Sequence, residues 1–152
     1  MTVEVQGEVI VGEIEIATTP EKVFDALIDP AQLVEWWGSP DTYRTFNWQV
    51  DARPGGAWSC NAQGPAGPVS TVSGRYLVVD PPHKLSYTWN PSWQPGEESQ
   101  VHYTLEAIPS GTRVSFRHEG FATAKSREGH TMGWMRVVGW LQNYLQREES
   151  RP

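Results

Sequence analysis

Residues 9–16 (VIVGEIEI) alternate: Ile10, Ile14 and Ile16 fall on one face, Glu13 and Glu15 on the other. That pattern predicts a half-buried strand. In Thr18-Thr19-Pro20-Glu21, Thr18 is placed to cap a helix, Pro20 suits its first turn and Glu21 follows three after the cap. Val23, Phe24, Leu27 and Ile28 continue at helical spacing until Asp29-Pro30 interrupts. A second short helix is expected to turn Leu33, Val34, Trp36 and Trp37 inward and to stop at Gly38. From residue 43 the pattern becomes six short β runs: 43–51, 57–61, 70–79, 84–90, 100–108 and 112–120. Pro54-Gly55-Gly56, Gly64–Pro68, Asp80-Pro81-Pro82, Pro91–Gly96 and Pro109-Ser110-Gly111 separate them, and such short turns imply antiparallel pairing. Over residues 127–148, Trp134, Val137, Val138, Leu141, Tyr144 and Leu145 form the apolar stripe of a long amphipathic helix. One strand, two short helices, six strands and a long helix define an α+β chain: a curved antiparallel sheet of about seven strands with one face under the last helix.

Alternation also assigns the inner faces. They comprise Leu85, Tyr87 and Trp89; Val101, Tyr103 and Leu105; Val114, Phe116 and His118; and, on the middle strands, Trp48, Trp58, Tyr76 and Val78. The long helix adds Trp134, Met135, Val138 and Leu141. Rings with a polar tip are a common lining for small-molecule pockets, although the same rings also fill ordinary cores.

Composition narrows the partners. Twelve basic against 18 acidic residues give a net charge of −6, with no Lys/Arg cluster, so nucleic acid and anionic membrane are poor partners. No apolar run approaches the ~20 residues of a membrane span. Glutamates interrupt the first 16 residues, which do not resemble a secretory signal. One cysteine, Cys60, allows no intrachain disulfide and fits a cytoplasmic setting. The 152 residues are expected to form one domain with a core at about 9–147.

Candidate chemistry is sparse. His118, late on the last strand, and His130, early on the long helix, are brought near each other by the intervening turn and are the candidate acid–base pair. His83 and His102 read as turn and outward positions, and no carboxylate or thiolate completes a metal site. Ser39, Ser59 and Ser73 lack a nucleophile-elbow context, Cys60 reads as a buried inert thiol, and Pro54-Gly55-Gly56 lacks a P-loop continuation. Asp51, Asp80, Glu97 and Glu98 fall at loop edges and are expected to be solvated.

Taken in order, Ile14–Asp29, Trp36-Trp37, Pro54-Gly55-Gly56-x-Trp58 and Gly74-Arg75-Tyr76 are followed by Val79-Asp80-Pro81-Pro82-His83-Lys84-Leu85 and Tyr87-Thr88-Trp89. Gly111-Thr112-Arg113-Val114, His118-Glu119-Gly120-Phe121, Gly129-His130 and Gly133-Trp134 complete the series. The combination resembles the START-like helix-grip superfamily, and within it the C-terminal domain of the heat-shock-protein-90 ATPase activator. The resemblance implies a seven-stranded sheet gripping the C-terminal helix, with a cavity between them. It also implies one of several roles: hydrophobic-ligand binding, chaperone- or stress-linked interaction, or, as in cyclase cousins, catalysis. Fold does not choose among them.

The leading expectation is a binder of a small hydrophobic or aromatic molecule, without a cofactor. Its contacts would be Trp37, Trp48, Trp58, Tyr76, Tyr87, Trp89, Tyr103, Phe116, His118, Trp134, Met135 and Val138. Segments 91–96 and 120–127 are candidate lids. The alternatives are a co-chaperone-like interaction module with Trp93 and Val69 exposed, a homodimer contact at a sheet edge, and an enzyme using His118 as acid or base.

Overall fold

The computed structural model describes residues 1–149; positions 150–152 of the expected domain lie outside them. Eight strands form one antiparallel sheet. They are β1 (Thr2–Gln6), β2 (Val9–Ile16), β3 (Arg44–Val50), β4 (Ala57–Gln63), β5 (Ser70–Asp80), β6 (Lys84–Pro91), β7 (Ser99–Ile108) and β8 (Gly111–Glu119). Their spatial order is β1-β2-β8-β7-β6-β5-β4-β3. Helices α1 (Pro20–Ile28) and α2 (Pro30–Trp36) join β2 to β3, and α3 (Ala124–Glu149) ends the described chain. The helices are segregated from an antiparallel sheet, which makes the fold an α+β helix grip.

The sheet, expected to have about seven strands, has eight among the described residues, the additional one being β1. Its pairing with β2 runs from Thr2 opposite Glu13 to Gln6 opposite Val9. Only Val3 is half-buried on this edge strand, so it carries almost no apolar alternation to read.

The first helix is capped by Thr19, not Thr18: Thr19 has extended backbone and its side chain accepts from the Lys22 N–H at 3.3 Å. Thr18 is buried, and its carbonyl accepts from the Thr112 hydroxyl at 2.7 Å, joining this corner to β8. Asp29 closes α1 and caps α2, where its carboxylate accepts from the Ala31 N–H.

Three residues expected inside face out. Val34 is exposed because Leu33 and Trp36 already carry the buried stripe of the short α2, and adjacent helical positions do not share a face. Met135, 49% exposed, is displaced from Trp134 and Val138 by the same rotation. Val78 is 40% exposed because the β5–β6 register shifts between Tyr76 and Val78. The extra residue leaves Leu77 and Val78 outside and returns Val79 to the core. A second register shift lies between Phe46 and Gln49, where Asn47 adopts φ 54°. It places Thr45 and Trp48 on one side, and the Trp48 indole N–H donates to the Thr45 hydroxyl at 3.0 Å.

The stripe of α3 is buried from Trp134 to Leu145 as the periodicity predicts. The helix packs over β1, β2, α1 and α2, toward one end of the sheet. Gln142 donates to the Glu15 carbonyl and Tyr144 to Gln32 Oε1, which fixes its C-terminal half. None of the described helices is long and apolar enough to cross a membrane.

Candidate functional site

Because α3 leans toward β1 and β2, its N-terminal half stands clear of β3, β4 and β5. A cleft of about 650 Å³ opens in that gap. Trp37 from the end of α2, Trp89 from β6, His118 from β8, and His130 and Trp134 from α3 form its inner wall. Tyr43, Thr45, Cys60 and Val72 line the sheet side. Both candidate lids reach it, through Trp93 and Gln94 in one and Thr123, Lys125 and Ser126 in the other.

The expected contacts therefore divide. Trp37, Trp89, His118 and Trp134 line the cleft. Trp58, Tyr76, Tyr87, Tyr103, Phe116 and Val138 are buried outside its lining, Trp48 is half-buried behind it, and Met135 faces solvent. The buried rings make a continuous chain. Trp58 meets Tyr87 edge-on at 5.2 Å, Tyr87 lies 6.1 Å from Tyr103, and Tyr103 meets Trp134, which stacks on Phe116 at 4.0 Å. These rings fill the interior under the helix and serve as the floor on which the cleft walls stand. Burial raises the hydroxyl pKa values of Tyr76, Tyr87 and Tyr103 and keeps all three protonated. It pushes the Cys60 thiol up to about 12.

The two histidines are joined by a hydrogen-bond relay. The Trp134 indole N–H donates to His118 Nδ1 at 3.0 Å. An indole cannot accept there, so Nδ1 is bare and the proton is on Nε2. Nε2–H donates to Ser99 Oγ at 2.7 Å, and Ser99 passes its own proton to the Trp89 carbonyl at 3.4 Å. The Trp89 indole then donates to His130 Nε2 at 3.0 Å, and His130 Nδ1–H donates to the Ser126 carbonyl at 2.8 Å. The imidazole centroids are 5.3 Å apart. Burial holds the His118 pKa well below the ordinary value, helped by the charge that His130 and His102 would carry. Burial also lowers His130, against the opposing pull of its Ser126 bond and of Glu97. Both rings are neutral acceptors for an indole. Protonating either would set two N–H groups against each other.

Glu97 is a correction: it is buried, not solvated. Its carboxylate accepts from the Ala122 N–H and from the Ser126 hydroxyl, and so anchors the start of α3. Ser99, Tyr43 and Arg136 also belong to the site, and the sequence pattern did not point to them. Arg136 was legible in principle, since it follows Gly129 and Gly133 on one helical face at i+7 and i+3. Ser99 opens β7 in phase with the buried Val101, Tyr103 and Leu105 and was legible in the same way, whereas Tyr43 sits on a loop whose course alternation does not describe.

A sheet that grips a long helix and leaves an aromatic cleft beside it defines a helix-grip protein. The profile described as "Activator of Hsp90 ATPase homolog 1-like protein" matches residues 17–146, and the chain belongs to that family. A structure from Chromobacterium violaceum is 25% identical with a TM-score of 0.83, covering 91% of this chain and 98% of that one. The AHSA1 protein of Silicibacter pomeroyi is 27% identical with a TM-score of 0.80, covering 92% and 99%. A Mycobacterium smegmatis protein at 22% identity and TM-score 0.83, covering 100% and 98%, shows the same fold. No curated protein sequence matches this chain. The fold family is consistent with binding of a ligand or of a protein.

Proposed function

We propose that this protein is a cytoplasmic binding module for a small hydrophobic or aromatic molecule held in the cleft beside α3. The observation that carries the reading is the cleft itself. Its volume of about 650 Å³ falls within the roughly 300–1,000 Å³ usual for ligand sites, and its inner wall carries three indoles beside the two imidazoles. The single buried thiol, Cys60, suits a reducing compartment. Both histidines are committed as neutral acceptors, which weighs against the acid–base alternative for His118.

Gly133 lines the cleft, and a Cβ built there meets nothing within 4 Å. Gly133→Phe is therefore the substitution expected to fill the space. A compound screen by thermal shift tests the reading. A ligand at 100 times its dissociation constant should stabilise the native protein by about 2.7 kcal/mol. The same compound should leave Gly133→Phe unshifted. Equal shifts in the two proteins would place binding elsewhere and overturn the proposal.

A second reading rests on a different observation. Trp93 is 54% and Met132 62% exposed, and both border the cleft. Such a rim suits a co-chaperone-like protein contact. Trp93→Ala should then abolish capture of the chaperone while small-molecule shifts persist.

A further inference from the structure

The charges around the cleft differ from those of the molecule. The chain carries net −6, yet none of the described residues lining the cleft is acidic, and two, Lys125 and Arg136, are cationic. Both are on α3, 11 positions apart, about 16 Å along one helical face. Neither makes an ion pair or side-chain hydrogen bond among the described residues. The first turn of α3 is capped by the Thr123 hydroxyl, which accepts from the Ser126 N–H, and the buried Glu97 carboxylate lies beside it on the Ser126 hydroxyl, so Lys125 and Arg136 hold the cleft's uncompensated charge.

A polar group waits at the Arg136 end. The Tyr43 hydroxyl accepts from the Trp37 indole at 3.2 Å, and its own proton has no acceptor among the described residues. The Tyr43 ring is held edge-on by Trp140 at 5.5 Å. Trp140 follows Arg136 by one turn of α3, so the phenol it holds and the guanidinium line the same end of the cleft. Burial and the charge that Cys60 would carry raise the Tyr43 pKa, while Trp37 and the positive charge of Arg136 pull it the other way.

We propose that the cleft selects an amphipathic organic anion, with its apolar body against Trp37, Trp89 and Trp134 and its acidic head on the Arg136 guanidinium and the Tyr43 hydroxyl. Arg136 supplies charge and planar donors, and Tyr43 supplies the proton that an anion, unlike a neutral apolar molecule, can accept. Lys125, at the other end, draws the anion toward a protein that otherwise repels it. The inference rests on the cleft being a ligand site.

Two fluorescent probes separate the claims: anilinonaphthalene sulfonate and N-phenylnaphthylamine, which share a body and differ by the sulfonate. The sulfonate should bind the native protein more tightly, and only its binding should weaken as salt is raised. Arg136→Gln should weaken it roughly tenfold and Tyr43→Phe roughly threefold, leaving the neutral probe unchanged. Lys84→Gln, outside the cleft, should change neither. If both probes bind alike and Arg136→Gln does not separate them, charge selection is overturned while the ligand site stands. If neither binds, or both bind Gly133→Phe equally, the ligand site falls with it.

Discussion

At the scale of single residues, the histidines decide what the interior can do. His118 is fully buried, with both ring nitrogens engaged in one tautomer. Its native pKa lies below that of the unfolded chain, and so does that of His130. The unfolded chain therefore binds protons that the native state refuses. Stability is whole above about pH 6.5 and declines as pH falls below it, by up to about 1.4 kcal/mol per unit for a fully buried histidine. Urea unfolding at about pH 7.5 and about pH 5.5 should show that loss, and His118→Gln should lessen it. An unchanged slope in His118→Gln would mean that His118 takes up a proton as readily in the native protein as in the unfolded chain. Cys60 yields another expectation. With its thiol pushed up to about 12, iodoacetamide at about pH 8 should leave the folded protein unmodified and label it in urea. Rapid labelling of the native protein would reveal a thiolate that this packing forbids.

The helix α3 serves two purposes along its length. Its C-terminal half is core, with Val138, Leu141 and Leu145 under 5% exposed. Its N-terminal half borders the cleft and is joined to the sheet through the relay from Trp134 to Ser126. Gly129 and Gly133 in that half have open space where a Cβ would stand. Glycine inside a helix costs roughly 0.5–1 kcal/mol relative to alanine, so Gly133→Ala should raise the melting temperature by a few degrees. The strand glycine Gly74 is the opposite case. A Cβ there would collide with the Thr88 carbonyl oxygen and approach Trp58 Nε1. Gly74→Ala should cost about 1–3 kcal/mol, read by the same melts. A neutral result would require β5 and β6 to separate without loss.

Across the whole molecule, the sheet is wider than the helix covers. α3 rests on the β1–β2 end, the interior beneath it is filled with rings, and the uncovered β3–β5 end becomes the cleft. The order of elements was legible in the sequence because each apolar period matches one buried face. β2, α1, β6, β7, β8 and the stripe of α3 all fall where periodicity puts them. β1 was not legible, because an edge strand with only Val3 half-buried shows no alternation. Val78 was misplaced because a bulge adds one residue to one strand only, which local pattern cannot register. The site was half legible. Trp37, Trp89, His118 and Trp134 could be named as inward rings, but inward rings that line space and inward rings that fill it read alike.

What the chain's pattern determined by itself was which side of each element is apolar, since a 2-residue or 3.6-residue period is a local property of the backbone. Only the tertiary structure decided where α3 lies across the sheet. That placement turns on the summed fit of Val138, Leu141, Tyr144 and Leu145 against β1, β2 and the two short helices. It left the other end of the sheet open, with Arg136 and Tyr43 at its rim.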